Sequence, residues 1–219
     1  MSKISIRWGW FSGIAICGSS IWSTNCTLAQ ELKPIPDNTL GAESSLVTPS
    51  TSDSPVYIIY GGAQRGANLF HSFQEFNVGE GRGAYFYSRS MDIQNILARV
   101  TGSNPSKILG TIGTYGNSNP NVFLINPNGI IFGPNASLDM GNAGLNNPRK
   151  GGSFLATTAN AIGLGDNGIF SASDPARSNL LTVNPSALFF NAISGQGIVN
   201  QSTATESVLG WSINGLHGS

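Results

Sequence analysis

The chain has 219 residues, of which 40% are hydrophobic and only 10% are charged, and its formal net charge is zero. A chain of this length can bury one sizeable core, so a single domain is expected. Its Lys and Arg residues are dispersed singly, which argues against nucleic acid or an anionic membrane as a partner. The 28 glycines and 11 prolines between short apolar runs predict many short strands joined by turns, with helix in the minority.

Residues 1–29 are predicted to be a secretory signal peptide. Lys3 and Arg7 give a basic start, an apolar stretch runs from Trp8 to Trp22, and cleavage is expected after Ala29. A membrane anchor is the alternative, but a span needs about 18 or more apolar residues. Serines and glycines interrupt the stretch before that length is reached, which favours a cleaved signal.

Both cysteines of the chain, Cys17 and Cys26, lie inside the predicted signal peptide. The mature chain is therefore expected to lack thiols, although a secreted protein could form disulfides in an oxidising compartment. Two explanations for the lack of disulfides remain open. Cross-links would hinder a chain that crosses a pore unfolded, or the core is large enough to be stable without them. Lipid attachment at Cys26 is disfavoured, because Ser23 stands where that signal prefers Leu.

Residues 30–55 form a lead-in that is rich in proline and small polar residues. Locally this composition indicates a flexible or extended segment, although Leu46 and Val47 could form a short edge strand. From residue 56 to residue 202, apolar runs alternate with turn residues at intervals of roughly 15 to 30 residues, which fits a solenoid without proving one. Residues 203–219 are expected to form a C-terminal tail.

The segment SMDIQNILARVTG, residues 90–102, admits two interpretations. The helical spacing i, i+3, i+4 and i+7 is met by the apolar residues Ile93, Ile96, Leu97 and Val100. A strand is also compatible with the same letters, through the alternation of Gln94, Ile96, Ala98 and Val100. By pattern alone the helix is favoured.

The stretch VFLINPNGIIFG, residues 122–133, places turn residues between two apolar runs. Asn126 can bond its own backbone, and Pro127 sets φ for the first corner residue. Asn128 tolerates the bridge or left-handed region, and Gly129 accepts a positive φ. A hairpin or a solenoid corner explains these residue types fully, so the residues alone do not require a binding role.

Three ordered stretches carry a resemblance to a known family. The sequence NILARVTGSNPSKILGTIGTYGNSNPNVFLINPNGIIFGPNASLDMG, residues 95–141, resembles the heart of the filamentous-haemagglutinin N-terminal domain. This is the secretion domain of two-partner secretion exoproteins in Gram-negative bacteria, and its hallmark is NPNGI. Upstream, GGAQRGANLFHSFQEFNVGEG is similar to the family's aromatic segment that ends in Phe-Asn-Val, and downstream GGSFLATTANAI also fits. The likeness runs from about residue 36 to residue 202.

The resemblance implies a right-handed parallel β-helix with an N-terminal cap and extra antiparallel strands. It therefore implies a strand over residues 93–100, because a tertiary ladder can override a chance periodicity. It also implies that the lead-in supplies capping strands. Full exoproteins continue for many hundreds of residues, so the end at residue 219 indicates a chain truncated relative to that family, either a short gene product or a separate domain.

The implied function is recognition during export. The resemblance implies that, after the general secretory machinery, the domain engages periplasmic modules of a cognate outer-membrane β-barrel transporter and reaches the outside or the cell surface. The candidate recognition residues are Asn126, Pro127, Asn128, Gly129 and Ile130, followed by Phe73, Phe76 and Asn77. For the two phenylalanines a core-packing role is an equally good interpretation.

Two other functions compete with this one. A secreted β-helical enzyme acting on polysaccharides would need clustered carboxylates, but the acidic residues are spread along the chain: Asp139, Asp166, Asp174 and Glu206. An adhesin without enzymatic activity needs no catalytic residues, so this alternative remains open. His71 and His217 are isolated, so no metal site is predicted, and the GEGRG run lacks the spacing of a nucleotide-binding loop. No cofactor and no catalytic residue are therefore expected.

Overall fold

The computed structural model describes residues 31–141, 151–191 and 197–203. The predicted signal peptide and most of the predicted tail lie outside these residues. Within them the chain forms strands and two single-turn 3-10 helices, Gly41–Glu43 and Pro175–Arg177. Neither helix is long or apolar enough to cross a membrane, and the described residues contain no other helix.

The strands are short, and all but one have six residues or fewer. In chain order they are β1 Ile35–Pro36, β2 Ser45–Pro49, β3 Val56–Gly61, β4 Ala63–Arg65, β5 Asn68–Glu75, β6 Gly83–Ser88, β7 Asn95–Val100, β8 Ser106–Ile108, β9 Thr111–Gly116, β10 Asn121–Ile125, β11 Ile130–Phe132, β12 Ser137–Asp139, β13 Phe154–Thr157, β14 Ala161–Leu164, β15 Gly168–Ser171, β16 Pro185–Phe189 and β17 Ile198–Asn200.

Most of these strands wind into a β-solenoid of about three turns, and each turn passes through three sheets. Sheet I contains β3, β6, β9 and β12, sheet II contains β5, β7, β10 and β13, and sheet III contains β8, β11 and β17. Within each group the strands are parallel. The parallel β-helix architecture expected from the resemblance is therefore confirmed.

Register between turns is fixed by like residues that lie one turn apart. In sheet II, Ile96 pairs with Leu69 of the turn before and with Val122 of the turn after. Asn95 follows Asn68 by 27 residues and precedes Asn121 by 26 residues. Because the turn length varies little in this sheet, equivalent side chains stack directly on one another.

Two apolar clusters lie on opposite faces of sheet II. The inner core fills the space enclosed by the three sheets and contains Ile59, Leu69, Phe73, Phe76, Val78, Ala84, Phe86, Ile93, Ile96, Ala98, Val100, Ile108, Ile112, Val122, Leu124, Ile130, Phe132, Ala136 and Met140. The outer layer lies on the other face and contains Ala63, Phe70, Leu97, Ile125, Ala159, Ile162, Leu164 and Phe170.

The segment with helical spacing is strand β7, so the helical interpretation is wrong and the strand is confirmed. All six of its residues are buried. Ile96, Ala98 and Val100 face the inner core, whereas Leu97 belongs to the outer layer. A strand that is covered on both faces has no polar alternation to display, which is why its letters also fit a helix.

The lead-in contributes strands at the start of the solenoid, as the resemblance implied. Strand β1 pairs antiparallel with β5 of sheet II, and β2 pairs antiparallel with β3 of sheet I. Leu46 and Val47 lie in β2, which is an edge strand of its sheet. Proline is tolerated there because an edge strand does not need every backbone donor.

The extra antiparallel strands are also present. Strand β14 pairs antiparallel with β15 and with β16, and these three form an outer sheet that belongs to none of the solenoid's faces. Side chains of β14 and β15 supply part of the outer layer, including Ile162, Leu164 and Phe170. The outer sheet therefore covers the outward face of sheet II.

Candidate functional site

The NPNGI residues form the corner between β10 of sheet II and β11 of sheet III. The two flanking strands belong to different sheets, so this is a solenoid corner and not a hairpin. Asn126, Gly129 and Ile130 are buried, whereas Pro127 and Asn128 are partly exposed. We call residues 126–130 the NPNGI corner.

Asn126 is the polar centre of this corner and is 0% exposed. Its Nδ2 donates to the carbonyl oxygen of Asn104 and to Oγ of Ser106, both at 3.0 Å, in the preceding turn. Its backbone N–H donates to the carbonyl oxygen of Thr157, at 3.0 Å, in the following turn. Its Oδ1 accepts from the backbone N–H of Asn128 at 2.9 Å. Asn126 therefore ties together three consecutive turns: its side-chain amide bonds to the preceding turn and to its own corner, and its backbone N–H bonds to the following turn. The prediction that the Asn126 side chain can bond the backbone of its own turn is confirmed.

The remaining corner residues close the turn. The N–H of Gly129 donates to the carbonyl oxygen of Asn126 at 3.1 Å, and Gly129 has φ of +106°, as the sequence predicted. Asn128 does not adopt a positive φ, and its Nδ2 donates to the carbonyl oxygen of Gly102 at 2.7 Å. A side chain at position 129 would be strained, because this backbone region favours glycine.

Phe73 and Phe76 lie in the inner core and are 0% and 1% exposed. Their ring centroids are 5.0 Å apart in an edge-to-face arrangement, and Phe76 stacks on Phe86 with centroids 5.8 Å apart. Such pairs add about 0.5–1.5 kcal/mol to the free energy gained by burial. Both rings are therefore packing residues in the folded domain, and neither is available to a partner at the surface.

Asn77 lies two turns before Asn126, just after strand β5, and makes fewer hydrogen bonds than Asn126 does. Its Oδ1 accepts from the backbone N–H of Lys107 at 2.8 Å, and its Nδ2 contacts Glu75 at 3.4 Å. The side chain is partly exposed. The eight predicted site residues therefore form no continuous surface: they divide into buried hydrogen-bonding groups, core rings and a few partly exposed atoms.

The sequence did not predict the row of hydrogen-bonded asparagine side chains, an asparagine ladder, at the start of sheet II. Asn68, Asn95 and Asn121 are the first residues of β5, β7 and β10. Nδ2 of Asn95 donates to Oδ1 of Asn68 at 2.9 Å, and Nδ2 of Asn121 donates to Oδ1 of Asn95 at 3.2 Å. The signal that could have found it is the recurrence of Asn at the start of successive apolar runs, one turn apart.

A buried arginine, Arg99, was also missed. It is 0% exposed, and its guanidinium donates to Oγ of Ser72 in β5, to the carbonyl oxygen of Ser171 in β15 and to Oγ1 of Thr39 in the lead-in, at 2.8–2.9 Å. It also lies over the ring of Phe170, 4.5 Å from the centroid. Burial lowers the pKa of Arg99 to about 10, so the group stays charged at neutral pH.

Asp37 completes this network. It accepts hydrogen bonds from the hydroxyl groups of Thr39, Ser72 and Thr101. Burial by itself would raise the pKa of Asp37, but these hydrogen bonds outweigh it, and the pKa lies below its usual value. The lead-in, sheet II and the outer sheet are thereby joined by one set of polar contacts around Arg99.

His71 lies in strand β5 and is 0% exposed, in contact with the rings of Phe73 and Phe86. Its Nδ1 is 3.0 Å from Oγ of Ser45, and burial lowers its pKa to about 3. Asp139 lies in β12 and is partly exposed, and its carboxylate accepts from the hydroxyl of Tyr85 at 3.2 Å. Over the described residues, no group of three or more His, Cys, Asp or Glu side chains could hold a metal ion.

These features define the class of protein. It is a capped β-solenoid whose turns are held in register by buried amides and whose outer face carries an antiparallel sheet. The chain belongs to the TPS secretion domain family, whose model matches residues 32–214. No curated protein matches the chain.

Membership of this family gives the function in outline. The domain is the N-terminal secretion-recognition domain of a two-partner secretion exoprotein, which is a non-catalytic targeting domain. Its partner is a cognate outer-membrane transporter, through which the exoprotein is secreted across the outer membrane. The family residues quoted above lie within the matched range.

Proposed function

We propose that the transporter recognises this domain while the chain is still extended, before the NPNGI corner and the inner core have formed. The observation that supports this proposal is the burial of the candidate recognition residues. Asn126 and Phe73 are 0% exposed and Phe76 is 1% exposed. A partner cannot contact these side chains in the folded domain without opening it.

The hydrogen bonds of the corner lead to the same proposal. Both ends of the Asn126 amide are already used within the domain, and a group whose hydrogen bonds are satisfied offers a partner little. An extended chain instead presents these amides and the rings of Phe73 and Phe76 together with free backbone groups. Such a segment can add as a strand to a sheet edge of a periplasmic module of the transporter.

Folding would then follow export. In this proposal residues 1–29 deliver the chain to the periplasm through the general secretory machinery, and residues 30–202 fold only after they emerge from the transporter. Each turn that forms outside buries apolar surface, worth about 25 cal/mol per Å², and therefore opposes backward sliding. The domain needs no catalytic group for this role, and the exoprotein reaches the outside or the cell surface.

The first experiment compares binding of the folded and the unfolded chain. The chain is kept in urea and diluted into a solution of the periplasmic module, and its binding is compared with that of the refolded protein by surface plasmon resonance. Tighter binding of the chain that has not yet refolded is expected. Equal or tighter binding by the folded protein would overturn the proposal and point to recognition of an exposed surface.

The second experiment measures secretion through the cognate transporter. Asn126→Ala is expected to lower the amount secreted, whereas Asn167→Ala, in an exposed turn, is the matched control. The loss of corner hydrogen bonds should cost about 1–3 kcal/mol, which leaves the purified domain folded when judged by circular dichroism. Unchanged secretion of a folded Asn126→Ala variant would show that the corner is structural only.

A further inference from the structure

Two Asn-Gly pairs lie in the described residues, and their environments differ. Asn128-Gly129 belongs to the NPNGI corner, whereas Asn167 is the last residue of the turn after β14 and Gly168 is the first residue of β15, paired with Leu164. In an open chain, the backbone nitrogen of such a glycine attacks Cγ of the asparagine, because glycine has no side chain to hinder it. The new N–Cγ bond replaces the Cγ–Nδ2 bond, ammonia leaves with the glycine proton, and water opens the succinimide to aspartate or isoaspartate.

The folded corner withholds both reacting groups of the first pair. The N–H of Gly129 donates to the carbonyl oxygen of Asn126 at 3.1 Å. Nδ2 of Asn128 donates to the carbonyl oxygen of Gly102 at 2.7 Å and lies 3.4 Å from Oδ1 of Asn126. The attack requires the carboxamide to leave Gly102 and the Gly129 nitrogen to leave Asn126, so the turn must open first.

We propose that Asn128 is a deamidation site that folding closes, and that deamidation in the unfolded chain blocks closure of the NPNGI corner. A carboxylate at position 128 has no proton to donate to the carbonyl oxygen of Gly102 and repels it instead. An isoaspartate adds a carbon to the backbone within the turn that Asn126 and Gly129 close. A chain that stays unfolded for longer is therefore more often deamidated, irreversibly, in the corner that connects three turns.

The second pair is a built-in control. The side chain of Asn167 is exposed, and no described residue accepts a hydrogen bond from its carboxamide. Only its backbone carbonyl is engaged, by Nδ2 of Asn179 at 3.0 Å. Trypsin separates the two sites, because cleavage after Lys107, Lys150 and Arg177 places Asn128 and Asn167 on different peptides.

The test incubates the purified protein at mildly alkaline pH, once in buffer and once in urea, and follows both sites by tryptic peptide mass spectrometry. In urea the two sites are expected to react at comparable rates. In the folded protein Asn128 is expected to react at least about tenfold more slowly than Asn167, a factor that corresponds to about 1.4 kcal/mol and lies within the range of one buried hydrogen bond. Equal rates at the two sites of the folded protein would overturn the proposal.

Two further measurements sharpen the test. Ser106→Ala removes one acceptor of the Asn126 amide and should speed deamidation at Asn128 in the folded protein while leaving Asn167 unchanged. Chains aged in urea are then diluted to refold, and the folded and unfolded fractions are mapped separately. Modified position 128 should be concentrated in the unfolded fraction, and equal amounts in both fractions would disprove the block to corner closure. Neither result depends on how the transporter recognises the chain.

Discussion

The inner core and the outer layer lie on opposite faces of sheet II, yet they are held together in different ways. The inner core consists of like apolar side chains stacked turn upon turn, such as Leu69, Ile96 and Val122. The outer layer joins segments that do not repeat, and it does so around Arg99, the one charged side chain buried among the described residues. Stacking of similar apolar side chains stabilises the inner core, whereas the hydrogen bonds of one buried cation, Arg99, fix the arrangement of the outer layer.

The comparison explains which substitutions each region should tolerate. In the inner core any apolar side chain of similar volume keeps the stack, because the contacts are not directional. In the outer layer the hydrogen bonds of Arg99 have fixed directions and three separate origins: the lead-in, sheet II and the outer sheet. Substitutions in the two regions should therefore differ in their cost, and the inner core should be the most sensitive.

The largest effect is expected in the inner core. Phe76→Ala should lower the free energy of unfolding by about 3–5 kcal/mol, the usual range for a buried phenylalanine. Phe190→Ala is the matched control, because Phe190 is 57% exposed, and it should change stability by less than about 0.5 kcal/mol. Urea unfolding followed by circular dichroism measures both. Equal effects would mean that the described core does not hold the fold together.

Loss of the buried cation should come next. Arg99→Met is expected to cost about 3 kcal/mol, because it leaves buried acceptors without their charged donor. Arg177→Met is the control, since the Arg177 side chain is 82% exposed and its ion pair with Asp174 is 3.9 Å long. Hydrogen exchange should show β14 and β15 opening before the solenoid in Arg99→Met. Uniform loss of protection across the molecule would contradict the division into two regions.

Acidification should weaken the inner core through His71. Its pKa is about 3 in the folded state against 6.5 ordinarily, so below pH 6.5 only the unfolded chain takes up the proton. Stability should therefore fall as the pH drops, by about 2 kcal/mol between pH 7 and pH 5. His71→Leu should remove that slope in urea titrations at the two pH values. A slope that persists in the variant would assign the effect to other groups.

The smallest effect is expected on the uncovered face of sheet I. Tyr115 is 58% exposed and packs against Tyr87 in a tilted arrangement, with ring centroids 5.6 Å apart. Tyr115→Ala should cost about 0.5–1.5 kcal/mol, the range for an aromatic pair, when measured by thermal unfolding. A loss as large as that of Phe76→Ala would show that this face is covered in solution.

Much of the fold could be predicted from the sequence, and the failures have a common cause. Apolar runs and turn residues predicted short strands, and Gly129 predicted a corner with a positive φ. The spacing of Ile93, Ile96, Leu97 and Val100 suggested a helix, because a strand buried on both faces loses the alternation that marks it. Only the resemblance to a family favoured the strand.

The residues of the candidate site could be predicted from the sequence, but their burial and contacts in the folded domain could not. The sequence pointed to Asn126 and its neighbours, yet it could not show that Asn126 is buried and bonded to the turns before and after it. Arg99 gave no signal at all, since its partners Thr39, Ser72 and Ser171 lie far apart in the chain. Local patterns cannot report contacts of this kind.

Which segments extend and where they bend follows from the amino-acid order, because strand and turn preferences act over a few neighbouring residues. Which side chains meet depends instead on the tertiary structure. In this fold the decisive contacts join residues one turn apart, as in the pair of Asn68 and Asn95 that are separated by 27 residues, or join the solenoid to its outer sheet. Burial and hydrogen bonding at such distances depend on how the coils stack, which no local pattern records.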